Sequence, residues 1–343
     1  MFEKMIKFFA VFVLGFLWLA VLLLAYFNFP VKKTNNPIEL GITFSSRYSQ
    51  DIGLNWKENY VALLDDLRVK KIRIPIYWDL VEKEKDVYDF SDIDWQLDEA
   101  EKRNAEIILV VGQKVPRWPE CFIPKWIGVN NEELRKNELL KNEEILQFIK
   151  DAVVRYKEHP AIKYWQVENE PFLAFGDCPT PTINANILDR EIEIIRRLDP
   201  DKKIIITDSG ELSTWMSAAA RADIFGTTMY RNIYRQGWGY YVYPLGPRFF
   251  QFKRWIIDRF VGQKNAIVIE LQGEPWVSGW TVHRSLEEQF ASMNERKLRQ
   301  IVEYAGDGGF SEVYLWGAEW WYWLKEKQDH PEVWEEARSL INM

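Results

Sequence analysis

The sequence predicts an α/β protein, a (β/α)8 TIM barrel preceded by one N-terminal transmembrane helix. Short apolar runs alternate with amphipathic, charged stretches over most of the chain, and an uncharged apolar segment lies near the amino terminus. The length of 343 residues leaves room for one large domain after that segment, and a (β/α)8 barrel takes roughly 250 residues plus insertions. We therefore predict a membrane anchor and linker at residues 1–35 and a barrel domain at residues 36–343.

The apolar segment runs from Phe8 to Phe27 without a charged residue. As a helix it would span roughly 30 Å, the thickness of the hydrocarbon core of a bilayer. The apolar region of a cleaved signal peptide is shorter and ends with small residues, whereas this segment continues into Leu-Leu-Leu-Ala-Tyr-Phe-Asn-Phe-Pro. An uncleaved single-pass anchor is therefore favoured over a cleaved signal. Two lysines lie on each side of the segment, so the positive-inside rule does not fix its orientation.

Eight runs rich in β-branched and aliphatic residues are predicted as strands, and the stretches between them as helices. The predicted strands are Glu39–Phe44, Lys71–Ile76, Glu106–Val111, Ile162–Val167, Lys203–Thr207, Asp223–Thr227, Ala266–Glu270 and Glu312–Trp316. The predicted helices include Tyr60–Val69, Asp92–Arg103, Asn142–Lys157, Asn186–Leu198, Phe249–Val261, Leu286–Tyr304 and Glu332–Ile341. This alternation indicates parallel strands joined by helices. Eight units favour a closed barrel, with an open doubly wound sheet as the alternative.

Composition and motifs argue against several classes of function. The net charge is −7 and no basic stripe is present, which argues against a nucleic-acid partner, because phosphate binding needs clustered Lys and Arg. The three His and two Cys show no metal-ligand spacing. The sequence also lacks a Gly-x-Ser-x-Gly element, and no Gly-x-Gly-x-x-Gly follows the first strand. We therefore expect neither a metal nor another cofactor.

Acidic side chains end two of the predicted strands. The fourth strand is followed by Glu-Asn-Glu-Pro at residues 168–171, and the seventh ends in Glu270. Active sites of barrels lie at the carboxyl ends of the strands, and a buried carboxylate is costly unless it is paired or used. Glu170 and Glu270 are thus the candidate catalytic pair. Glu168 stays an alternative acid, because alternate residues of a regular strand share a face, and Glu274 stays an alternative to Glu270.

These strand ends resemble those of the clan A glycoside hydrolases, the retaining (β/α)8 enzymes that include the family 5 cellulases. In that clan the acid/base follows an Asn at the end of strand four, as in Asn169-Glu170-Pro171, and a Glu ending strand seven is the nucleophile, as Glu270 would be. The resemblance implies a retaining, two-glutamate cleavage of β-linked glycans. It also implies that Asn169 hydrogen-bonds the sugar 2-OH.

Three further positions match the pattern of the clan. Arg73 on strand two and Tyr230 after strand six would stabilise the nucleophile. Trp316 at the end of strand eight would form the floor of the subsite that binds the cleaved sugar. Many family 5 members carry a His near strand three, where this chain has Gln113, and another just before the strand-six Tyr. This departure weakens a family 5 assignment more than a clan assignment, and barrel β-galactosidases of the same clan are an alternative.

The 17 Trp residues indicate a carbohydrate ligand, because indole faces stack on the C–H faces of sugar rings. We predict that Trp118, Trp276, Trp316 and Trp320 bind an oligo- or polysaccharide, together with Gln113. The other Trp placed at or near strand ends are Trp78, Trp126, Trp238, Trp280, Trp321 and Trp323. A glycan-binding barrel without catalysis and a transglycosidase of cell-surface glycans remain alternative functions.

Two structural expectations follow. Because such a substrate lies outside the cytoplasm, we place the catalytic domain there, where an oxidising compartment would let Cys121 and Cys178 form a disulfide. The resemblance also implies a cis peptide bond between Trp316 and Gly317, which would turn the indole into the cleft.

Overall fold

The computed structural model describes residues 2–33, 37–178 and 182–343. Its strands are β1 Glu39–Thr43, β2 Lys71–Pro75, β3 Glu106–Val111, β4 Ile162–Val167, β5 Lys203–Asp208, β6 Ile224–Met229, β7 Asn232–Arg235, β8 Gly239–Val242, β9 Ala266–Gln272 and β10 Glu312–Trp316. Its helices are α1 Phe2–Asn28, α2 Ser46–Asp51, α3 Trp56–Asp65, α4 Trp78–Val81, α5 Ser91–Glu101, α6 Asn131–Lys136, α7 Glu138–Tyr156, α8 Ala185–Leu198, α9 Met216–Ala219, α10 Pro247–Val261, α11 Leu286–Ser292, α12 Glu295–Asp307, α13 Ala318–Gln328 and α14 Glu332–Ile341.

Eight parallel strands close into a barrel, in the order β1-β10-β9-β6-β5-β4-β3-β2. This confirms the predicted TIM barrel. The barrel interior is filled mainly by isoleucines, whereas a larger apolar layer lies between the strands and the surrounding helices. Burial on both faces explains why these strands read as continuous apolar runs. The antiparallel hairpin β7–β8 is inserted after the sixth barrel strand, in a loop for which no strand was predicted.

The predicted helix Leu286–Tyr304 is two helices, α11 and α12, and this is a correction. Met293 between them is extended, and the Asn294 side chain accepts a hydrogen bond from the backbone N–H of Lys297. An Asn that caps the N–H groups of a new first turn starts a helix. The periodicity of apolar residues continues across this break, so the pattern alone does not reveal it.

Helix α1 projects from the barrel, and its window Val11–Asn28 has a mean hydropathy of 2.3. By length and composition this helix can cross a membrane, a property that an anchor and a signal sequence share. Its last turn touches the barrel: the Phe27 ring lies 5.3 Å from that of Phe249 on α10. The Asn28 side-chain amide donates to the carbonyl of Pro244 at 2.9 Å. The end of α1 is therefore attached to the barrel domain at α10 and the segment before it.

Candidate active site

A cleft of about 720 Å³ opens at the carboxyl ends of the barrel strands. Its walls contain Glu170 from the end of β4, Tyr230 from the end of β6 and Glu270 from β9, together with aromatic side chains of the surrounding loops. A volume of this size accommodates a small-molecule or oligosaccharide ligand. The strand-end acids that the sequence singled out thus share one cavity.

Glu270 is held by two donors. Its Oε1 accepts a hydrogen bond from Arg73 Nη1 at 2.7 Å, and its Oε2 accepts one from the Tyr230 hydroxyl at 3.1 Å. Arg73 is fully buried and Glu270 nearly so. Burial and the charges of Glu270 and Glu170 raise the pKa of Tyr230 well above its ordinary value, so the phenol stays a donor. Both contacts stabilise the ionised carboxylate.

Asn169 is oriented from both ends of its amide. Its Oδ1 accepts from Arg73 Nη2 at 2.7 Å, and its Nδ2 donates to Glu120 Oε2 at 3.2 Å. Arg73 Nε donates in addition to Gln166 Oε1 at 2.7 Å. One guanidinium therefore fixes a carboxylate from β9 and an amide that follows β4 in a single plane of hydrogen bonds.

Glu170 lies in a different electrostatic environment. Its Oε1 accepts a hydrogen bond from the hydroxyl of Thr228 at 3.2 Å, and Thr228 is the register partner of Glu270 on the neighbouring strand. Burial first, then the charges of Glu270 and Glu120, raise the pKa of Glu170 well above its ordinary value. A carboxyl group in such surroundings holds its proton near neutral pH and can donate it.

The two alternative acids occupy other positions. Glu168 is buried outside the cleft, where its carboxylate accepts the backbone N–H groups of Gln113 and Lys114 at 3.0 and 2.6 Å. It has φ +57, so the alternation of a regular strand does not apply to it. Glu274 does line the cleft, but its Oε1 accepts from Arg117 and from the indole N–H of Trp316.

Three of the four tryptophans predicted to bind sugar line the cleft: Trp118, Trp276 and Trp316. Trp118 is 59% exposed, and Trp276 packs edge-on against Tyr230 with ring centroids 5.2 Å apart. Trp280, which the sequence also placed near a strand end, lines the same cavity.

Trp320 and Gln113, which the sequence predicted to bind substrate, do not line the cleft. Trp320 lies in helix α13, which starts two residues after β10, and its buried indole N–H donates to Gln289 Oε1 at 2.7 Å. Trp321 and Trp323 are buried in the same helix. The side chain of Gln113 is buried and does not line the cleft. Closeness to a strand end along the chain does not decide which way a side chain points once the following segment is helical.

The cleft residues that the sequence analysis did not predict include Arg117, Glu120 and Glu211. Arg117 is sandwiched between Tyr48 and Trp316, with its guanidinium 3.9 and 4.1 Å from the two ring centroids, and it pairs with Glu274 and Glu319 at 2.5 Å each. Burial raises the pKa values of Glu120 and Glu211 to about 8. Arg117 and Glu120 lie in the loop after β3, where the dense run Arg-Trp-Pro-Glu was the available signal.

The Trp316–Gly317 peptide bond is trans, which corrects the expectation of a cis bond; among the described residues the cis bond is Trp118–Pro119. Trp316 is oriented instead by its hydrogen bond to Glu274, and Gly317 makes the turn with φ +118, a conformation that favours glycine. The structure pairs Cys121 with Cys178, with Cα atoms 5.3 Å apart. The bond ties the loop after β3 to the loop after β4.

One group of possible metal ligands lies elsewhere. The ligand atoms of Asp98, Glu101 and His159 lie within 4.8 Å of one another. The carboxylates are exposed, and the imidazole lies 3.9 and 3.7 Å from them. Surface ion pairing accounts for this cluster, and it is remote from the cleft.

Comparison with known proteins agrees with this geometry. A family model described as β-galactosidase, that of glycoside hydrolase family 42, matches residues 54–189, a range that includes Arg73, Asn169 and Glu170. No curated protein matches the chain. The β-galactosidase from the psychrophilic Marinomonas ef1 superposes with a TM-score of 0.60 at 13% identity, covering 89% of this chain and 59% of that one. This chain therefore spans little more than half of that enzyme.

Two xylanases are similar over nearly their whole length. Xylanase B from Clostridium stercorarium F9 superposes with a TM-score of 0.54 at 15% identity, covering 89% of this chain and 96% of the xylanase. Xylanase 10B from Thermotoga petrophila, solved in complex with xylobiose, gives 0.53 at 17% identity, with 89% and 94% covered. Together with the family match, these likenesses confirm the resemblance to the clan A glycoside hydrolases and support the prediction of a glycosidase.

Proposed function

We propose that this protein is a retaining glycoside hydrolase that cleaves β-linked glycans, with Glu270 as nucleophile and Glu170 as acid/base. The observation that carries the proposal is the contrast between two buried carboxyl groups in one cleft. Glu270 accepts hydrogen bonds from a guanidinium and a phenol, whereas Glu170 accepts from a neutral hydroxyl and has a raised pKa. A carboxyl group whose pKa is raised can act as the acid, and a carboxylate whose ionised form is hydrogen-bonded by cationic and phenolic donors can act as the nucleophile.

The reaction would proceed in two steps. Glu170 gives its proton to the departing glycosidic oxygen while Glu270 attacks the anomeric carbon and forms a covalent glycosyl-enzyme. Glu170, now ionised, then takes a proton from water, which displaces Glu270 and restores both groups. Asn169, held by Arg73 and Glu120, is buried and is not among the residues that line the cleft. We propose that its amide hydrogen-bonds the sugar 2-OH once substrate is bound. The link of Glu170 to Thr228, the strand partner of Glu270, supports the short carboxyl spacing of a retaining pair.

The charge of the cleft favours neutral glycans. Five glutamates line it, and the burial that raises the pKa values of Glu120, Glu170 and Glu211 also disfavours a further negative charge. Of the two arginines that line it, Arg117 is already paired with two carboxylates. A uronate would meet like charge there and pay for desolvation. The exposed ring of Trp118 and the half-buried Trp276 offer stacking surfaces for further sugar units. β-Galactosides and β-xylosides are the first substrates to try, because the similar structures are galactosidases and xylanases.

We further propose that α1 is an uncleaved anchor and that the barrel lies outside the cytoplasm. The length and apolar composition of α1 support an anchor. The Cys121–Cys178 disulfide supports an oxidising compartment. The two parts of the chain, residues 1–35 and 36–343, would then be the anchor with its linker and the catalytic domain.

The test uses the full chain in detergent and a panel of 4-nitrophenyl β-glycosides and neutral β-glycans. Glu270→Gln should abolish turnover, at least ~10³-fold, while sugar binding measured by calorimetry stays close to the wild type. Glu170→Ala should slow unactivated substrates far more than aryl glycosides, whose leaving groups need little protonation. Proton NMR of the first product should show the retained anomer.

Glu274→Gln is the matched control, because it makes the same change in the same cleft. It should weaken binding without abolishing chemistry. If turnover survives in Glu270→Gln but is lost in Glu274→Gln, Glu274 and not Glu270 is the nucleophile. Glycan binding without turnover of any substrate would make the barrel a binding module, and formation of longer oligosaccharides from the donor would indicate a transglycosidase.

A further inference from the structure

The outer face of α10 carries an apolar stripe that the barrel does not cover. Phe252, Trp255, Ile256 and Phe260 follow helical spacing and share this face, and Trp255 and Phe260 are 55% and 66% exposed. The opposite face of α10 supplies the buried Phe250 and Ile257 to the core. A surface helix normally turns polar residues outward, so the second apolar face needs another apolar environment.

This stripe is continuous with the end of α1. The Phe27 ring lies 5.8 Å from that of Phe252, which stacks on Trp255 at 5.8 Å, and Trp255 meets Phe260 at 6.3 Å. Arg248 Nε and Nη2 at the start of α10 donate to the carbonyls of Phe29 and Pro30 at 3.0 and 3.1 Å. The chain that leaves α1 is thereby fixed against α10.

We infer that the outer face of α10 lies in the interface of the same bilayer that α1 crosses. The inference rests on the proposed anchoring by α1. The exposed apolar side chains of α1 require lipid around them, and the stripe begins where that helix ends, so it lies at the level of the membrane surface. Trp is enriched at that level, and the exposed Arg259 between Trp255 and Phe260 suits anionic headgroups.

The contact would fix the position of the cleft as well as that of α10. Helix α10 begins five residues after the hairpin β7–β8, and side chains of that hairpin, including Ile233 and Tyr241, line the cleft. Two points of attachment, α1 and the stripe, would hold the mouth of the barrel beside the bilayer, where a single tether would let it turn freely.

The test places the full chain in vesicles of phosphatidylcholine and phosphatidylglycerol. Both native cysteines are joined in the disulfide, so Trp255→Cys or Phe260→Cys adds a single thiol for a polarity-sensitive fluorophore. Both labels should shift to the blue and should be quenched severalfold more by a lipid-borne nitroxide than a label at Val154→Cys. Val154 on α7 is the matched control, because it is also apolar and 52% exposed.

Equal quenching at positions 255, 260 and 154, or ready quenching of the first two by iodide in the water, would overturn the inference. Formation of disulfide-linked dimers through position 255 would overturn it in favour of a second copy as the partner. Flotation of the vesicles separates the two failures. If the protein floats but its labels are not quenched, the contact between α10 and the bilayer is refuted and the anchoring by α1 is supported. If the protein does not float, both are refuted, whatever its glycosidase activity.

Discussion

At the residue scale, the two glutamates of the proposed mechanism differ in the side chains that surround them and not in how deeply they are buried. Both carboxyl groups are buried. Arg73 and Tyr230 bind Glu270 directly, whereas like charge dominates around Glu170, where Glu270 and Glu120 both act to raise its pKa. Glu120 therefore couples to the acid through space and to Asn169 through a hydrogen bond. It is the cleft residue whose removal tests this electrostatic arrangement most directly.

We predict that Glu120→Gln moves the basic limb of the pH–activity profile to lower pH, by about one unit. The acid must be protonated to act, so activity falls as the pH rises through the pKa of Glu170. Glu120 titrates with a pKa raised to about 8, and its ionised form disfavours ionisation of Glu170. Removing that charge lowers the pKa of Glu170. The measurement is kcat/KM against pH with an unactivated glycoside.

Glu211→Gln provides the control for this shift. Glu211 also lines the cleft, and its pKa is likewise raised to about 8, but it is not among the main charges that raise the pKa of Glu170. Its replacement should leave the basic limb of the pH–activity profile in place. A basic limb that does not shift in Glu120→Gln, or that shifts equally in both variants, would contradict the proposed electrostatic coupling between Glu120 and Glu170.

At the scale of the elements, the sequence is informative where a strand is buried on both faces. Glu106–Val111 and Glu312–Trp316 were predicted with the bounds that the structure has, because an uninterrupted apolar run after a polar first residue leaves little choice. The bounds of Ile162–Val167 were also predicted, although this strand includes the exposed Lys163. Loops carried less information. The positive φ of Glu168 and the helical start of α13 set side-chain directions that no periodicity encodes. This is why the burial of Trp320 and the position of Arg117 and Glu120 in the cleft could not be predicted from the sequence.

The disulfide joins two loops that both contribute to the cleft. Cys121 follows Glu120, and Cys178 follows the Phe175 that also lines the cavity. Closing a loop across 57 residues stabilises by about 4 kcal/mol in the chain-entropy model. We predict that reduction with dithiothreitol lowers the melting temperature by several degrees and raises KM, because Trp118 and Glu120 lose their tether. Differential scanning fluorimetry with and without reductant measures the first effect.

The double variant Cys121→Ser/Cys178→Ser should match the reduced wild type and should not respond to reductant. A wild-type melting temperature that is insensitive to dithiothreitol, under conditions in which a thiol assay shows complete reduction, would mean that the loops are held by their other contacts.

At the scale of the whole molecule, the anchor and the barrel are joined by specific contacts as well as by the chain. Phe27 packs on Phe249 and Phe252, and Asn28 donates to the carbonyl of Pro244. The sequence reveals the apolar segment but not this attachment, because the partners, in α10 and just before it, lie more than 200 positions away along the chain. This attachment determines where the chain can be truncated without lowering the stability of the barrel domain.

We predict that a chain beginning at Ala25 melts about 2 °C above one beginning at Val31. Both lack the membrane-crossing part of α1 and should be soluble and equally active, since Pro244 and Phe249 do not line the cleft. The longer chain keeps the half-buried Phe27 ring, whose burial contributes about 1 kcal/mol, and a domain of this size shifts by roughly 2 °C per kcal/mol. Phe27→Ala in the longer chain should remove the difference. Equal melting of the two truncated chains would show that the contact with α10 adds no stability in water, and aggregation of both would show that the barrel depends on α1 to stay folded in solution.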